Sequence, residues 1–257
     1  MPCIRNYATT QWWSWFFNAV KGKRVKGEGE NLAQSAACGK PEHAHPSPFP
    51  LAPSLRFSGL VEYAPTWQAM KQFTAARTTD TRDEIWLLQH PPVYTQGLAG
   101  KPEHLLRASD IPVIKIDRGG QITYHGPGQI VAYLLLDLRR WKLNVRGLVR
   151  LMEQAVINLL VQHGVAARGR EDAPGVYVGD AKIASLGLKI KNGCCYHGIA
   201  LNVDMDLAPF IFINPCGYAG LRVTQARDVG ISTPMVELER GLAQNLVSLL
   251  QQHRDQG

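Results

Sequence analysis

Residues 175–203 restrict the fold of this 257-residue chain more than any other stretch. Three runs rich in apolar residues, GVYV, AKIASLGLKIK and CYHGIALNV, are separated by the turn pairs Gly179-Asp180 and Asn192-Gly193. Such dipeptides form the tight turns that join neighbouring antiparallel strands. The stretch therefore predicts a three-stranded antiparallel meander.

Helical and strand patterns alternate without a regular order over the rest of residues 54–257. Helices are predicted from Pro65 to about Arg77, from Val145 to His163, and from Thr233-Pro234 to Leu250. Buried strands are predicted at EIWLLQ, IPVIKID and IVAYLLLDL. Because these elements do not repeat as strand–helix–strand units, we predict a single α/β (α+β) domain with a mixed sheet.

The first 53 residues differ from the rest of the chain. They combine a Trp/Phe cluster, the run KGKRVKGEGE and a Pro/His stretch, and no helical or strand period persists through them. We interpret residues 1–53 as a disordered extension, or as the result of a start codon set too early. An alternative is that Trp12 to Val20 form a helical patch that contacts a membrane or a partner.

Charge and cysteine content narrow the class of protein. The net charge of +7 is small for a nucleic-acid binder, so we expect no nucleic-acid partner. The positive charge could attract an acidic protein partner. The alternative is that it has no specific role. Five cysteines at scattered spacings do not form a disulfide framework and favour a reducing compartment. No stretch reaches the roughly eighteen apolar residues of a membrane helix, so we expect a cytoplasmic protein without a membrane partner.

The segment RGGQITYHGPGQ, from Arg118 to Gln129, is the first candidate site. Its four glycines permit close approach of the backbone to a ligand, and Arg118, Tyr124 and His125 add polar side chains. A connection this long between apolar strands is more typical of a binding loop than of a plain hairpin. The alternative is a glycine-rich hairpin with a hydrogen-bonded histidine. The segment matches neither a Walker loop nor a dinucleotide-binding fingerprint.

Lys182 is the second candidate. Within AKIASLGLKI it shares parity with the apolar residues from Ala184 to Ile190, and side chains of equal parity lie on one face of a strand. A lysine buried on that face would have a lowered pKa and could accept a proton near neutral pH. One alternative is that Lys182 lies at the strand end and extends its amine to solvent. Another is that a bulge after Gly179-Asp180 reverses the face on which Lys182 lies.

Cys216, in the sequence NPCG, is the third candidate. Pro215 restricts the backbone before it and Gly217 permits a tight turn after it, so the thiol is expected to be held rigidly. A reactive thiol needs a nearby cation or base. The alternative is that Cys216 is a small buried hydrophobic residue.

Cys194 and Cys195 with His197 are the feature most similar to a metal site. Side chains of adjacent strand residues point in opposite directions and chelate one ion poorly, and no CxxC pair is present. We therefore expect no metal. His197 is interpreted either as a ligand-facing group or as a hydrogen-bonded core histidine.

Four segments together resemble a known family. RGGQITYHGPGQ, DAKIASLGLKI, YHGIALNVDMDL and FINPCGYAG have an order and spacing similar to those of the octanoyltransferases of the lipoate pathway. The resemblance extends from about Leu55 to Leu250, so residues 54–257 are expected to be the catalytic domain; residues 1–53 have no counterpart. It implies a fold like the catalytic domain of biotin and lipoate protein ligases, with a mixed sheet flanked by helices.

The resemblance also implies roles for individual residues. Cys216 would carry the acyl group as a thioester, and Lys182 would be its catalytic partner. Three segments would bind the acyl chain and its carbonyl: Arg118, Gly119, Gly120, Gln121, Ile122, Thr123, Tyr124 and His125; Ser185, Leu186 and Gly187; and Gly198, Ile199 and Ala200.

The implied reaction moves an octanoyl group from the phosphopantetheine arm of acyl carrier protein to one lysine. That lysine would belong to a lipoyl domain of a 2-oxoacid dehydrogenase complex, or to the glycine-cleavage carrier protein. Because a thioester is already activated, no ATP and no cofactor are expected. Two alternatives stay open. One is an ATP-dependent lipoate- or biotin-protein ligase, which would not need Cys216, and the other is a non-catalytic acyl- or protein-binding module.

Overall fold

The computed structural model of the chain describes residues 52–256. The interpretation of residues 1–53 as an extension or a misplaced start concerns residues outside this range, apart from Ala52 and Pro53. The alternative helix from Trp12 to Val20 also lies outside it.

The described chain forms ten strands and three helices. The strands are β1 (Ser54–Leu60), β2 (Glu84–Gln89), β3 (Val93–Gln96), β4 (Val113–Lys115), β5 (Ile122–His125), β6 (Gln129–Leu135), β7 (Arg168–Gly169), β8 (Gly175–Val178), β9 (Ala181–Lys191) and β10 (Cys194–Asn202). The helices are α1 (Tyr63–Ala75), α2 (Val145–Gln162) and α3 (Met235–Asp255). Across residues 52–256, none of the helices has the length and apolar character needed to cross a bilayer.

The strands form two sheets. The large sheet has the order β1-β2-β6-β10-β9-β8-β7, and only its β1–β2 pair is parallel. The small sheet has the order β4-β3-β5, with β3 parallel to β4 and antiparallel to β5. Strands β8, β9 and β10 are consecutive and antiparallel, so the predicted meander is confirmed.

Helices cover both faces of the large sheet. On one face, Leu148 of α2 and Leu242 of α3 join the inward side chains of β2, β6 and β10 in the main buried cluster. On the other face, Met70 of α1 packs with Tyr133 and Ala200 of the sheet. The prediction of an α/β domain with a mixed sheet flanked by helices is confirmed.

Helix α2 shows how local sequence sets the bounds of an element. The side chain of Asn144 accepts a hydrogen bond from the Gly147 N–H at 2.8 Å, which caps the first turn. Apolar side chains at helical spacing face the sheet. The helix ends before Gly164, whose φ of 76° suits glycine. The predicted bounds, Val145 to His163, differ from the observed ones by one residue.

The sequence suggested that RGGQITYHGPGQ is one long loop, and this is wrong. Its residues Ile122–His125 form β5, which pairs with β3 in the small sheet. Strand β3 was not predicted, because Pro91-Pro92 directly precede it and prolines usually end a strand. The predicted strand IPVIKID forms only the short β4, and it lies in a different sheet from β6.

Asp83 directly precedes β2 and is the centre of a buried hydrogen-bond network. It is 2% exposed and forms an ion pair with the buried Arg77. Its Oδ1, which pairs with Arg77, also accepts a hydrogen bond from the Asp137 N–H at 2.9 Å. Its Oδ2 accepts a hydrogen bond from the Trp141 Nε1–H at 2.6 Å. Removal of this carboxylate would leave the Arg77 charge buried without its counter-ion.

We therefore expect Asp83→Ala to lower the free energy of unfolding by about 3–5 kcal/mol, the usual cost of breaking a buried ion pair from one side. The shift in the urea midpoint, with the m-value unchanged, measures this loss of stability. Asp180→Ala is the control, because the Asp180–Arg168 ion pair is exposed and such pairs contribute about 1 kcal/mol at most. Equal effects of the two substitutions would contradict the prediction.

Candidate active site

A cavity of about 790 Å³ opens between the α1-covered face of the large sheet and strand β5. Val131, Tyr133 and Ala200 line it from the large sheet, and Ile122 and Thr123 line it from β5. Apolar walls with a small number of polar groups are typical of a small-molecule site.

Lys182 and Cys216 meet at the wall of this cavity. The Nζ of Lys182 lies 3.3 Å from the Sγ of Cys216 and donates to the carbonyl oxygen of Pro174 at 3.1 Å. It also lies 5.2 Å from the ring centre of Tyr177. Lys182 is 2% exposed, so the alternative in which its amine reaches solvent is wrong, whereas Cys216 is partly exposed. The pair combines a buried amine with an accessible thiol.

The orientation of Lys182 depends on an irregularity in the β8–β9 ladder. One step along β8 corresponds to two steps along β9, from Ala184 to Lys182, so Ile183 is an extra residue. Lys182 consequently lines the cavity together with Ser185 and Gly187, which have the opposite parity. Strand parity predicted the burial of Lys182 correctly, but the extra residue Ile183 places its side chain on the face opposite to Ala184 and Leu188.

Cys216 occupies a strained turn. Its φ of 57° and ψ of 15° lie in the left-handed region that residues other than glycine rarely adopt. The turn is closed by the Gly217 N–H, which donates to the Asn214 carbonyl at 2.9 Å, and by the Tyr218 N–H, which donates to the Pro215 carbonyl at 3.1 Å. Backbone strain of this kind concentrates at functional sites.

The charge state of Lys182 differs from the sequence-based expectation. Burial on its own lowers the pKa of the amine, but the Cys216 thiolate and the Tyr177 hydroxyl act against it, and the pKa of Lys182 is raised above its usual value. The expectation of a lowered pKa is therefore wrong for the pair at rest. Before acylation the amine of Lys182 is therefore held as an ammonium.

Arg118 places a second buried cation at the cavity. It is 8% exposed and donates to the Thr95 carbonyl at 2.6 Å and to the Gly119 carbonyl at 2.9 Å. Burial lowers the pKa of this guanidinium, and interactions with Tyr63 and Cys216 act in the opposite direction. A buried cation whose hydrogen-bond partners are neutral oxygens of Thr95 and Gly119 can stabilise negative charge in the cavity.

Burial disfavours the protonated form of two histidines on the cavity wall, His125 and His197. Burial lowers the pKa of His125 to about 3, and its Nδ1 lies 2.7 Å from the amide oxygen of Gln129. His197 also lines the cavity, with its Nε2 3.3 Å from Asp117 Oδ1. Burial lowers the pKa of His197, although Asp117 opposes the shift. Both interpretations of His197 apply, since it faces the cavity and is hydrogen-bonded.

Most of the residues singled out from the sequence lie on the cavity wall. They are Cys216, Lys182, Arg118, Gly120, Gln121, Ile122, Thr123, His125, Ser185, Leu186, Gly187, Gly198, Ile199 and Ala200. Gly119 and Tyr124 do not line it. The Tyr124 side chain points to the opposite side of β5, where it packs with Tyr94 and Phe210, because successive side chains of a strand alternate in direction.

Cys194 and Cys195 take no part in the cavity. Both are buried, and the Cys195 thiol donates to the Leu134 carbonyl at 3.2 Å. Burial raises the pKa of Cys195 to about 12, which leaves it unreactive. Within residues 52–256, no three His, Cys, Asp or Glu side chains are grouped as metal ligands would be.

Sequence reasoning did not identify several groups at the site. Tyr63, Tyr133 and His104 line the cavity, and Pro174 binds the Lys182 amine. Tyr133 lies inside a predicted buried strand and Tyr63 lies two residues before the predicted start of the first helix. An aromatic residue carries no distinctive signal at either position. Pro174 belongs to the turn before β8, and the predicted β8–β9 hairpin could have indicated that this turn faces Lys182.

Comparison with known sequences identifies relatives along most of the chain. A family model described as the lipoyl protein ligase A/B catalytic domain matches residues 62–246. An octanoyltransferase of Nitrosomonas eutropha is 64% identical over 211 residues, which cover 82% of this chain and 94% of the relative. An octanoyltransferase of Nitrosomonas europaea is 68% identical over 192 residues, covering 75% and 94%.

Solved structures share the fold at low sequence identity. A bipartite lipoate protein ligase from Thermoplasma acidophilum superposes with a TM-score of 0.62 at 17% identity, covering 77% of this chain and 84% of that one. A lipoate-protein ligase A bound with ATP superposes with a TM-score of 0.60 at 15% identity, covering 78% and 86%. At such identities the likeness shows a common fold alone.

Proposed function

The chain belongs to the lipoyl protein ligase A/B catalytic-domain family, and within it to the octanoyltransferases, and on that premise we propose how it works. It is an acyltransferase of protein lipoylation. The octanoyl group comes from acyl carrier protein, passes through a thioester on Cys216, and ends on one lysine of a lipoyl domain. No cofactor is involved beyond the phosphopantetheine of the carrier.

One observation carries the proposal: a buried amine lies 3.3 Å from an accessible thiol on the wall of an apolar cavity. An adjacent cation stabilises the thiolate, which is the nucleophilic form of cysteine. The cavity provides apolar surface for an alkyl chain next to that nucleophile.

In the first half-reaction, the Cys216 thiolate attacks the thioester carbonyl of the octanoyl carrier protein. The negative charge moves to the carbonyl oxygen, where Arg118 and backbone N–H groups would stabilise it. The intermediate then expels the thiol of the carrier, which takes its proton from the Lys182 ammonium. The products are the acyl-enzyme and a neutral Lys182.

Acylation of Cys216 lowers the pKa of Lys182. The thioester carries no charge, so the contribution of Cys216 that raises the pKa of Lys182 is lost. Burial, the largest single effect on that pKa, lowers it and is then opposed by Tyr177 alone. The amine then suits a proton acceptor near neutral pH, as the sequence suggested. One lysine can therefore act as acid in the first half-reaction and as base in the second.

In the second half-reaction, the acceptor lysine arrives as an ammonium and transfers one proton to Lys182. Its nitrogen attacks the thioester, the C–N bond forms and the C–S bond breaks. The second proton leaves to water as the amide forms, and the Cys216 thiolate and Lys182 ammonium are restored. Two separate half-reactions on one cysteine predict ping-pong kinetics.

The direct test is transfer without ATP. The protein is incubated with octanoyl carrier protein and an apo lipoyl domain, and the mass of the lipoyl domain is followed. We expect an octanoyl amide on one lysine. A requirement for ATP and free octanoate would support the ligase alternative, and tight octanoyl binding without turnover would support the binding module.

Chain-length preference should be graded, because an apolar wall distinguishes chains only by buried surface. Each methylene contributes about 0.8 kcal/mol, so hexanoyl carrier protein, two methylenes shorter, should lose about 1.6 kcal/mol, or roughly fifteenfold in kcat/KM. Measured kcat/KM values for butanoyl, hexanoyl and octanoyl carriers check this. A sharp cut-off between two neighbouring lengths would contradict it.

A further inference from the structure

Glu153, on helix α2, reaches across to the segment in front of β8. Its Oε1 accepts a hydrogen bond from the Gly175 N–H at 2.9 Å. The chain leaves room for this carboxylate at Gly169, where an added Cβ would lie only 2.9 Å from Oε2. Nothing in the reaction as described uses this half-buried acid.

Gly175 in turn packs against the end of the Lys182 side chain. A Cβ at Gly175 would lie 2.8 Å from Cε and 3.1 Å from Nζ of Lys182, and the φ of Gly175 is 144°. The preceding residue, Pro174, supplies the carbonyl that accepts from Nζ at 3.1 Å. Residues 174–175 therefore provide both an acceptor and a wall for the amine.

We propose that Glu153 is a positioning residue for Lys182: its hydrogen bond to the Gly175 amide fixes the Pro174 carbonyl, which directs the Lys182 amine toward the Cys216 sulfur. The inference rests on the proposed function, since the pair must be catalytic for its alignment to affect transfer. The alignment itself can be measured on the thiol without any acyl substrate.

Hydrogen bonding and charge of Glu153 can be separated. The charged groups that interact with its carboxyl are Lys182, Arg150 and Glu171. Burial raises the pKa of Glu153, Lys182 and Arg150 lower it, and Glu171 raises it. A glutamine keeps an acceptor oxygen but no charge, and an aspartate keeps the charge on a shorter side chain. If Glu153 acts by positioning, glutamine at this site should preserve the reactivity of Cys216 and aspartate should not.

The test is the rate of iodoacetamide alkylation of Cys216 from pH 5 to pH 10, located by peptide mass, in the full chain. E153Q should react as the wild-type protein does. E153A and E153D should react about tenfold more slowly at pH 7, with their pH profiles shifted upward, since displacements near 1 Å can cost about a hundredfold. E171Q is the matched control, because Glu171 is exposed, and should leave the profile unchanged.

A second comparison excludes a merely structural effect. In a Lys182→Ala background, E153A should cause no further loss of reactivity, because the residue that it positions is absent. A loss of the same size in that background would overturn the proposal. So would E153Q reacting as slowly as E153A, which would assign the effect to charge, or E153A and E153D both reacting at the wild-type rate.

Two further outcomes are distinguishable. If E153A does not fold, which its melting temperature would show, the comparison of E153D with E153Q decides. Failure of the proposed function itself would appear differently, as a wild-type protein with a reactive Cys216 that nevertheless transfers no octanoyl group.

Discussion

Cys216→Ala is expected to abolish the octanoyl adduct and to lower octanoyl transfer by about 10⁴-fold or more, the scale on which loss of a nucleophile acts in enzymes that form an acyl intermediate. The thiol provides the atom to which the acyl group is bound, and no other described cysteine lies at the cavity. Intact mass after incubation with octanoyl carrier protein measures the adduct, and lipoyl-domain mass measures transfer.

Cys194→Ala and Cys195→Ala are the matched controls, since both thiols are buried away from the cavity. Each should form the adduct as the wild-type protein does. An octanoyl adduct that persists in Cys216→Ala would overturn the assignment of the nucleophile. Retention of transfer in that variant, together with a need for ATP, would identify a ligase.

Lys182→Ala should slow both half-reactions, by about 10²–10⁴-fold, the range typical of a positioned proton donor and acceptor. Without the ammonium, Cys216 loses the cation 3.3 Å from its sulfur, and the carrier thiol loses its proton donor. Rapid-quench measurement of acyl-enzyme formation, and separate measurement of its consumption by the lipoyl domain, resolve the two steps.

Lys191→Ala is the control for the Lys182 experiment, because Lys191 ends the same strand but is exposed. It should change neither step. Acyl-enzyme formation at the wild-type rate in Lys182→Ala would show that this amine does not activate the thiol. A loss confined to the second half-reaction would restrict Lys182 to the role of base.

Much of the large sheet was predictable from local sequence. The turns at Gly179-Asp180 and Asn192-Gly193 determine the meander, and the helical spacing of apolar residues determines α2. The small sheet was not predictable in this way. Its strands are three or four residues long, too short for a period to emerge, and β3 directly follows a pair of prolines that normally end a strand.

The candidate site was predictable in part. Glycine-rich runs, a lysine in a strand and a cysteine in a Pro-Cys-Gly turn are visible signals, and the resemblance relates them to one another. The face on which Lys182 lies depends on the extra residue Ile183, which no alternation pattern shows. Its charge depends on the distance to Cys216, a contact between residues 34 positions apart.

Backbone hydrogen bonds join the strand that carries Lys182 to the segment that follows Cys216. The Lys182 N–H donates to the Arg222 carbonyl at 2.8 Å, and its carbonyl accepts from the Thr224 N–H at 2.9 Å. Residues 222–224 follow Cys216 by only a few positions, so one short tether joins the thiol to the strand that carries the amine. A tether this short maintains a high effective concentration of one group at the other. The backbone therefore keeps the amine and the thiol close together, in addition to the 3.3 Å contact between Nζ and Sγ.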